Sequence, residues 1–516
     1  MHVFLYGPPG SGKTTTGRLL AQQLNLPFVD LDEAIEKRAG SPIPEIFQVE
    51  GEAKFRALES AALEEAIAGK EQVIALGGGS LLDPANRKRA QAGGIVACLS
   101  AKYEVLSSRL VASGVARPLL QQDPAAGLQD LLAWRSSHYA SFPLQVDASQ
   151  QTPEQAAWQV QVSSGMFHIR GMGSGYDVRV EDGLIDRLGQ EFLARGLKGP
   201  VALVSDENVG KYYADRALAS LRSCGYTAQT VFIPSGELFK TLQTVSSLWQ
   251  AFVHMNLERG STVLALGGGV VGDLAGFAAA AYLRGIRWVA APTTLLAMVD
   301  ASLGGKTGAD LPEGKNLIGA FHPPAWVAAD PTLLSTLPAE ELQSGMAEVV
   351  KHGVIADADL FDRCAHGWDA FRASPAELVR RAMAVKIQVI QEDPFEQGRR
   401  AVLNLGHTIG HALEKASRYS LRHGEAVAIG LVVEARIAER SGLAANGLAV
   451  EIASTLKTLG LPVEVPHALD REAFFQALSV DKKRAGGKVR FALPVRIGEV
   501  RAGVEVETGL VSGCLF

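Results

Sequence analysis

The feature that most constrains this chain is GPPGSGKT, running from Gly7 to Thr14. It fits the phosphate-loop pattern G-x-x-x-x-G-K-[ST], follows the apolar run His2–Tyr6 and opens a helical stretch through Leu24. Strand, glycine loop and helix give that loop its chemistry. Backbone N–H groups around Gly10 and Gly12 point at phosphate oxygens, and Lys13 adds a mobile positive charge. Thr14 can place its hydroxyl on Mg²⁺. Such a loop needs a parallel sheet covered by helices, and Val73–Leu76 and Ile95–Leu99 read as further buried strands.

The 516 residues provide for about three domains. With 47% apolar and 20% charged residues, a largely disordered chain is excluded. Fifty basic residues stand against fifty-five acidic ones, which argues against a nucleic-acid or anionic-membrane partner. The most apolar region, 263–299, is broken by Asp273, Arg284 and Arg287, so it cannot be a membrane span without burying unpaired charge. Cys98, Cys224, Cys364 and Cys514 are far apart, with no CxxC spacing. A cytoplasmic enzyme of small molecules is therefore expected.

Three regions follow from the patterning. Residues 1–163 alternate short apolar runs with amphipathic stretches, and 164–175 is a glycine-rich junction. Residues 176–337 hold a second α/β pattern, with strands expected at 178–180, 201–205, 230–233, 263–266 and 288–290. Residues 338–516 are rich in Ala, Leu, Glu and Arg and read as mainly helical, with helices expected at 339–364, 375–392, 405–416, 424–440, 446–459 and 470–478.

In the first region, Asp30 and Asp32 follow a strand-like stretch, so both can stand near the phosphate loop. One can hold Mg²⁺ through water and the other receive a hydroxyl proton. Arg56 can clamp a carboxylate. Each has a plainer reading, Asp32 as a helix cap and Arg56 as surface charge. Together GPPGSGKTTTG, FVDLDEAIE (28–36), GEAKFRALE (51–59), ARPLL and LLAWRSSHY closely resemble shikimate kinase over nearly all of 1–163. That resemblance implies a P-loop kinase fold and ATP-dependent phosphorylation of the shikimate 3-hydroxyl. It implies Lys13 and Asp32 in catalysis, with Gly10, Gly12, Thr14, Asp30 and Arg117 around Mg²⁺–ATP. Asp32, Arg56, Gly78, Gly79 and Arg135 are then implied around shikimate.

In the second region, three glycines at 267–269 lie between a strand-like run and a helix. This suits backbone approach to a pyrophosphate, although a plain tight turn is the alternative. Asp206 follows another apolar strand and can accept from a ribose hydroxyl. In the helical region His407 and His411 are four apart, and His423 and Glu348 stand on other helical segments. Thr408 occupies the position of a peptidase glutamate, so a zinc-peptidase reading fails. A glutamate with two histidines suits Zn²⁺ with one position left open. Lys306, Lys315, Lys482, Lys483 and Lys488 recur in glycine-rich or short apolar contexts, which points to a small phosphorylated acid as substrate.

The blocks GGGVVGDLAGFAA, PTTLLAMVDASLGGKTG, GKNLIGAFHPP, LPAEELQSGMAEVVKHG, LNLGHTIGHALE and HGEAVAIG closely resemble 3-dehydroquinate synthase over roughly 170–505. The resemblance implies a Rossmann-type α/β domain followed by a helical domain, working as a homodimer. It implies a Zn²⁺ or Co²⁺ ion on Glu348, His407 and His423. NAD⁺ contacts are implied at Asp206, Asn208, Glu237, Lys240, Gly268, Gly269, Val270, Asp273, Thr293, Thr294, Asp300, Lys306 and Lys315. Substrate contacts are implied at Asn316, Lys351, Lys386, Arg400, Asn404, His411 and Lys488, with Lys482 or Lys483 as alternatives to the last. Lys306, Lys351 and His411 are the implied catalytic groups, and Arg284 is implied in the dimer partner's phosphate pocket. The sequence departs from the family at Asp393-Pro394, where Asp-Glu is common.

The implied reaction converts 3-deoxy-D-arabino-heptulosonate 7-phosphate to 3-dehydroquinate and phosphate. Hydride leaves C5 for NAD⁺ and returns, so the cofactor emerges unchanged. An alternative for this half is a related metal-dependent polyol dehydrogenase acting on a neutral alcohol, which the anion-binding lysines and arginines oppose. An alternative for the first half is a degraded nucleotide-binding module, which an intact set of Lys13, Asp32, Arg56 and Arg135 opposes.

Overall fold

A computed structural model describes residues 1–113, 124–467, 469–484 and 489–515. Arg117 and Lys488 lie outside the described residues, as do the side chains of Lys482 and Lys483. The chain divides into two compact units, Met1–His168 and Ile169–Phe516.

The first unit is built on a five-stranded parallel sheet in the order Phe28–Asp30, Val73–Ala75, His2–Tyr6, Gly94–Ser100, Leu144–Asp147. Alternation along the central strand sends Val3 and Leu5 to one face and Phe4 and Tyr6 to the other, each pair into its own apolar cluster. Burial on both faces explains why His2–Tyr6 reads as an unbroken apolar run.

The second unit holds a sheet with strands in the order Tyr176–Val180, Trp326–Ala329, Arg287–Pro292, Thr262–Gly267, Val201–Asp206, Ala228–Ile233. The pairings from Tyr176–Val180 onward are parallel. Val201–Asp206 connects outward to one edge strand, while Thr262–Gly267 connects in the opposite direction. Their adjacent carboxyl ends therefore open a crevice at the reversal of strand order, the place where doubly wound sheets bind ligands. A hairpin, Lys306–Leu311 with Gly314–Phe321, follows.

From Ala339 onward helices dominate. The stretch expected as one helix over 339–364 breaks at Asp357, whose side chain accepts from Leu360 N–H and caps Ala358–Ala365. The expected junction 164–175 contains the strand Met166–Ile169. A second hairpin, Arg490–Arg496 with Glu499–Glu505, adds Phe491 and Leu493 to a core formed by the helices His407–Ala416, His423–Arg440 and Arg471–Arg484. The unit thus has a Rossmann-like α/β part and a mainly helical part. Among the described residues no helix is long and apolar enough to cross a membrane.

Candidate active sites

In the first unit, glycine makes the phosphate loop possible. Gly7 has φ +133°, and a Cβ there would stand 2.1 Å from the Leu99 carbonyl oxygen. Gly12 takes the left-handed conformation that starts the Lys13–Leu24 helix. Lys13 Nζ donates to the carbonyls of Gly7 and Pro8, each at 2.9 Å. Thr14 Oγ1 donates to Asp30 at 2.7 Å, and Asp30 in turn accepts from Asp32 N–H at 3.0 Å, capping the next helix. A cavity of about 560 Å³ spans the loop, Asp30, Asp32, Gly77 and Gly78.

Arg56 and Arg135 converge on Gly79: a Cβ there would lie 3.2 Å from the Arg56 guanidinium and 3.3 Å from that of Arg135. Arg135, almost buried, donates to the Gly78 carbonyl at 3.0 Å. Arg56 is held at 2.8 Å by Glu59, which Ser80 also engages. Arg109 and Gln151 on the cavity wall were not singled out from sequence. They are isolated polar residues whose place depends on how distant segments meet.

The crevice of the second unit holds two of the expected nucleotide elements. Asp206 accepts from Asn208 and Val209 N–H at 2.8 and 3.0 Å and so caps its own helix. Gly267 to Gly269 turn from strand into the helix Gly269–Ala281 with Val270 in its first turn, and a Cβ on Gly267 would come within 2.5 Å of Val271. Thr294 Oγ1 accepts from Ala297 N–H at 3.1 Å, while the buried Thr293 hydroxyl has no hydrogen-bond partner among the described residues. Lys240 joins Asp273 at 2.6 Å and Asn316 at 2.5 Å, and Lys315 lies 3.6 Å from Glu237. Burial works against the Lys240 charge, but Asp273 outweighs it and raises the pKa; burial also raises that of Asp273.

Nearby is a chain of charges. Glu396, in the left-handed region at φ +60°, pairs with both Lys306 and Arg400. Arg400 also donates to the Pro394 carbonyl at 2.7 Å, and Asp393 accepts three backbone N–H bonds from 397, 398 and 400. Lys386 meets Asp300 at 2.5 Å; burial lowers the lysine pKa, and although burial opposes it, Lys386 keeps Asp300 ionised. Leu283 and Arg284 both have positive φ and are exposed. Asn404 ends the short 3₁₀ helix Arg399–Asn404 on its exposed side.

Three helices, Ala339–Ala356, His407–Ala416 and His423–Arg440, bring Glu348, His407 and His423 together with ligand atoms within 4.8 Å of one another. Glycines permit it. A Cβ on Gly424 would stand 2.2 Å from the Ser344 carbonyl oxygen, and one on Gly430 would stand 2.0 Å from that of Gly406. Glu348 is fully buried. The Nε2 atoms of His407 and His423 each lie 3.4 Å from its Oε1, and Lys351 Nζ lies 2.5 Å from Oε2. Lys351 thus pairs with Oε2, while Oε1 faces the two imidazole nitrogens at distances longer than a good hydrogen bond. Burial would raise the Glu348 pKa, but Lys351 and the two histidines hold it well below the carboxylate range. Burial and Lys351 push His407 down to about 3, whereas Glu348 and Glu414 overcome burial and push His423 up to about 10. His411 is exposed, its ring 5.3 Å from that of His407.

Comparison with known proteins agrees with this division. The shikimate kinase family model matches residues 9–163, that of the 3-dehydroquinate synthase N-terminal domain 230–344, and that of its C-terminal domain 345–484. The 3-dehydroquinate synthase of Nostoc punctiforme is 44% identical over 355 residues, covering 67% of this chain and 98% of the relative. Among solved structures, the 2-epi-5-epi-valiolone synthase of Streptomyces hygroscopicus with NAD⁺ and Zn²⁺ bound is 30% identical, covering 66% of this chain and 95% of its own, with a TM-score of 0.61. A 2-deoxy-scyllo-inosose synthase complexed with carbaglucose-6-phosphate, NAD⁺ and Co²⁺ is 26% identical, covering 68% and 99%, with a TM-score of 0.63. The chain belongs to the 3-dehydroquinate synthase family and carries a shikimate kinase domain ahead of it, a bifunctional enzyme of the shikimate pathway.

Proposed function

We propose that the larger unit turns 3-deoxy-D-arabino-heptulosonate 7-phosphate into 3-dehydroquinate with NAD⁺ and a Zn²⁺ or Co²⁺ ion, and that the smaller phosphorylates shikimate with Mg²⁺–ATP. The observation that carries the first part is Glu348, a buried carboxylate whose Oε1 faces the Nε2 atoms of two imidazoles at 3.4 Å while Lys351 pairs with its Oε2. A divalent cation would satisfy it, and the donor set suits zinc or cobalt. Two structurally similar synthases hold NAD⁺ with Zn²⁺ or with Co²⁺. The glycine turn at 267–269 fits a dinucleotide, since side chains there would collide with Val271 or crowd Thr294 and Ala301.

When bound, the metal polarises substrate oxygens and NAD⁺ accepts and returns hydride. The chain does the rest. Lys351 Nζ, anchored by the Leu403 carbonyl and Glu348, is placed to donate to a substrate oxygen. Lys306 and Arg400 exchange their contacts with Glu396 for the anionic groups of the substrate, with Lys386, Asn316, Asn404, His411 and Lys488 around it. Asp206, Asn208, Glu237, Lys240, Asp273, Thr293, Thr294, Asp300 and Lys315 contact the dinucleotide. Arg284, exposed on a strained turn, reaches the phosphate pocket of a second copy in a homodimer.

In the kinase unit, Lys13 leaves the two loop carbonyls for phosphate oxygens, Thr14 and Asp30 hold the Mg²⁺ that enters with ATP, and Arg117 covers the phosphates. Arg56 and Arg135 grip the shikimate carboxylate beside Gly78 and Gly79, and Asp32 receives the 3-hydroxyl proton. The test is two separate assays on one purified chain: ATP-dependent shikimate phosphorylation, and NAD- and metal-dependent phosphate release. Asp32→Ala is expected to abolish the first and leave the second intact. Loss of both with the fold preserved refutes independent sites.

A further inference from the structure

The helices His407–Ala416 and His423–Arg440 each present a largely buried glutamate to the other. Glu434 is fully buried and lies eleven residues beyond His423, three turns away from the ligand cluster. Its Oε2 accepts from Gly406 N–H at 2.5 Å and its Oε1 from Ile409 N–H at 3.3 Å. These are amides at the start of the helix that opens with His407, groups that no carbonyl within the helix satisfies. A serine or asparagine at 406 would be the usual remedy. It is barred here, because Gly406 has φ +79° and a Cβ would stand 3.0 Å from both Leu431 Cγ and the Val427 carbonyl. The cap has to come from the neighbouring helix, and the close approach at Gly430 lets Glu434, one turn further, reach it.

Glu414 acts in the opposite direction. It sits on the His407–Ala416 helix, is 8% exposed, and accepts from His423 Nδ1 at 3.4 Å. His423 then turns its Nε2 toward Glu348. His407 does likewise, with Nδ1 donating to the Leu405 carbonyl at 3.1 Å. Both imidazoles thus aim the same nitrogen at the same carboxylate, which requires their outer nitrogens to be held. We propose that Glu414 and Glu434 are positioning residues forming a reciprocal brace: each helix fixes the other's histidine, Glu414 by orienting His423 and Glu434 by fixing the helix start that carries His407. This rests on reading Glu348, His407 and His423 as the metal ligands.

The test uses the full chain freed of metal, with Glu414→Gln and Glu434→Gln. Zinc affinity is measured by competition with a chromophoric chelator, and ligand geometry by the visible absorption of the Co²⁺-loaded proteins. Each variant is expected to bind zinc 10–100-fold more weakly and to show an altered Co²⁺ spectrum. Kinase activity and, for Glu414→Gln, the melting temperature of the metal-free chain stay as in the parent. Zinc affinity within twofold of the parent in both variants, with an unchanged Co²⁺ spectrum, overturns the brace. Should Glu434→Gln fail to fold, Glu414→Gln alone decides. If the unsubstituted chain itself takes up no stoichiometric zinc, the ligand assignment falls instead.

Discussion

Gly430→Ala is a one-methyl perturbation aimed at the packing that assembles the synthase site. The added Cβ would lie 2.0 Å from the Gly406 carbonyl oxygen and 2.9 Å from its carbon. Both obstacles are backbone atoms, so no side chain can swing away. Restoring a 3.0 Å contact means moving one helix by about 1 Å. That displacement passes directly to His407, the residue after Gly406, and changes its distance from Glu348 and His423. The cost to the fold is about 1–3 kcal/mol, within what a domain of this size tolerates. The cost to catalysis is larger, since a misplacement of about 1 Å lowers the rate about 100-fold, or about 2.7 kcal/mol in the barrier. The assay compares kcat/KM for phosphate release with shikimate phosphorylation in the same preparation, the second serving as an internal control. Gly509→Ala, where no atom lies within 4 Å of the new Cβ, should change neither. If Gly430→Ala retains phosphate release within threefold of the parent, with zinc content unchanged, helix approach does not set the site geometry.

Three further outcomes are expected. Dialysis against a chelator should silence both activities; Mg²⁺ alone then restores phosphorylation, and phosphate release returns only with Zn²⁺ or Co²⁺. Lys240→Met should strip the half-buried Asp273 of its partner and destabilise the larger unit by about 1–3 kcal/mol, while the added Asp273→Asn change recovers part of that in denaturant titrations. Burial holds the His2 imidazole below its ordinary pKa, so the folded chain favours the neutral form. As pH falls below about 6.5 the unfolded chain takes up a proton that the folded one refuses, and the kinase unit loses stability. His2→Gln should flatten the dependence of unfolding free energy on pH below about 6.5; an unchanged slope refutes that assignment.

Much of this architecture is legible in the sequence, for reasons that differ by element. Strands buried on both faces, such as His2–Tyr6 and Thr262–Gly267, appear as continuous apolar runs beside glycine. The phosphate loop and the pair His407 and His423 are visible because their chemistry demands fixed residue types. The hairpins Lys306–Phe321 and Arg490–Glu505 are not, since they are built around glycines and exposed charges with no clean alternation. Trp326–Ala329 is too short to register as a period. Glu396, Glu414 and Glu434 look like ordinary helical or loop glutamates; what distinguishes them is a partner on another segment, two basic groups for Glu396, an imidazole for Glu414 and bare backbone amides for Glu434. Local sequence carries no record of such a meeting.

The two compact units share one polypeptide, and that has a cost for regulation. A cell that makes one molecule of the kinase necessarily makes one of the synthase, so expression cannot adjust their ratio. Matching the throughput of the two halves of this chain then falls to the turnover number and substrate affinity of each. Selection on either set of side chains is therefore also selection on metabolic balance.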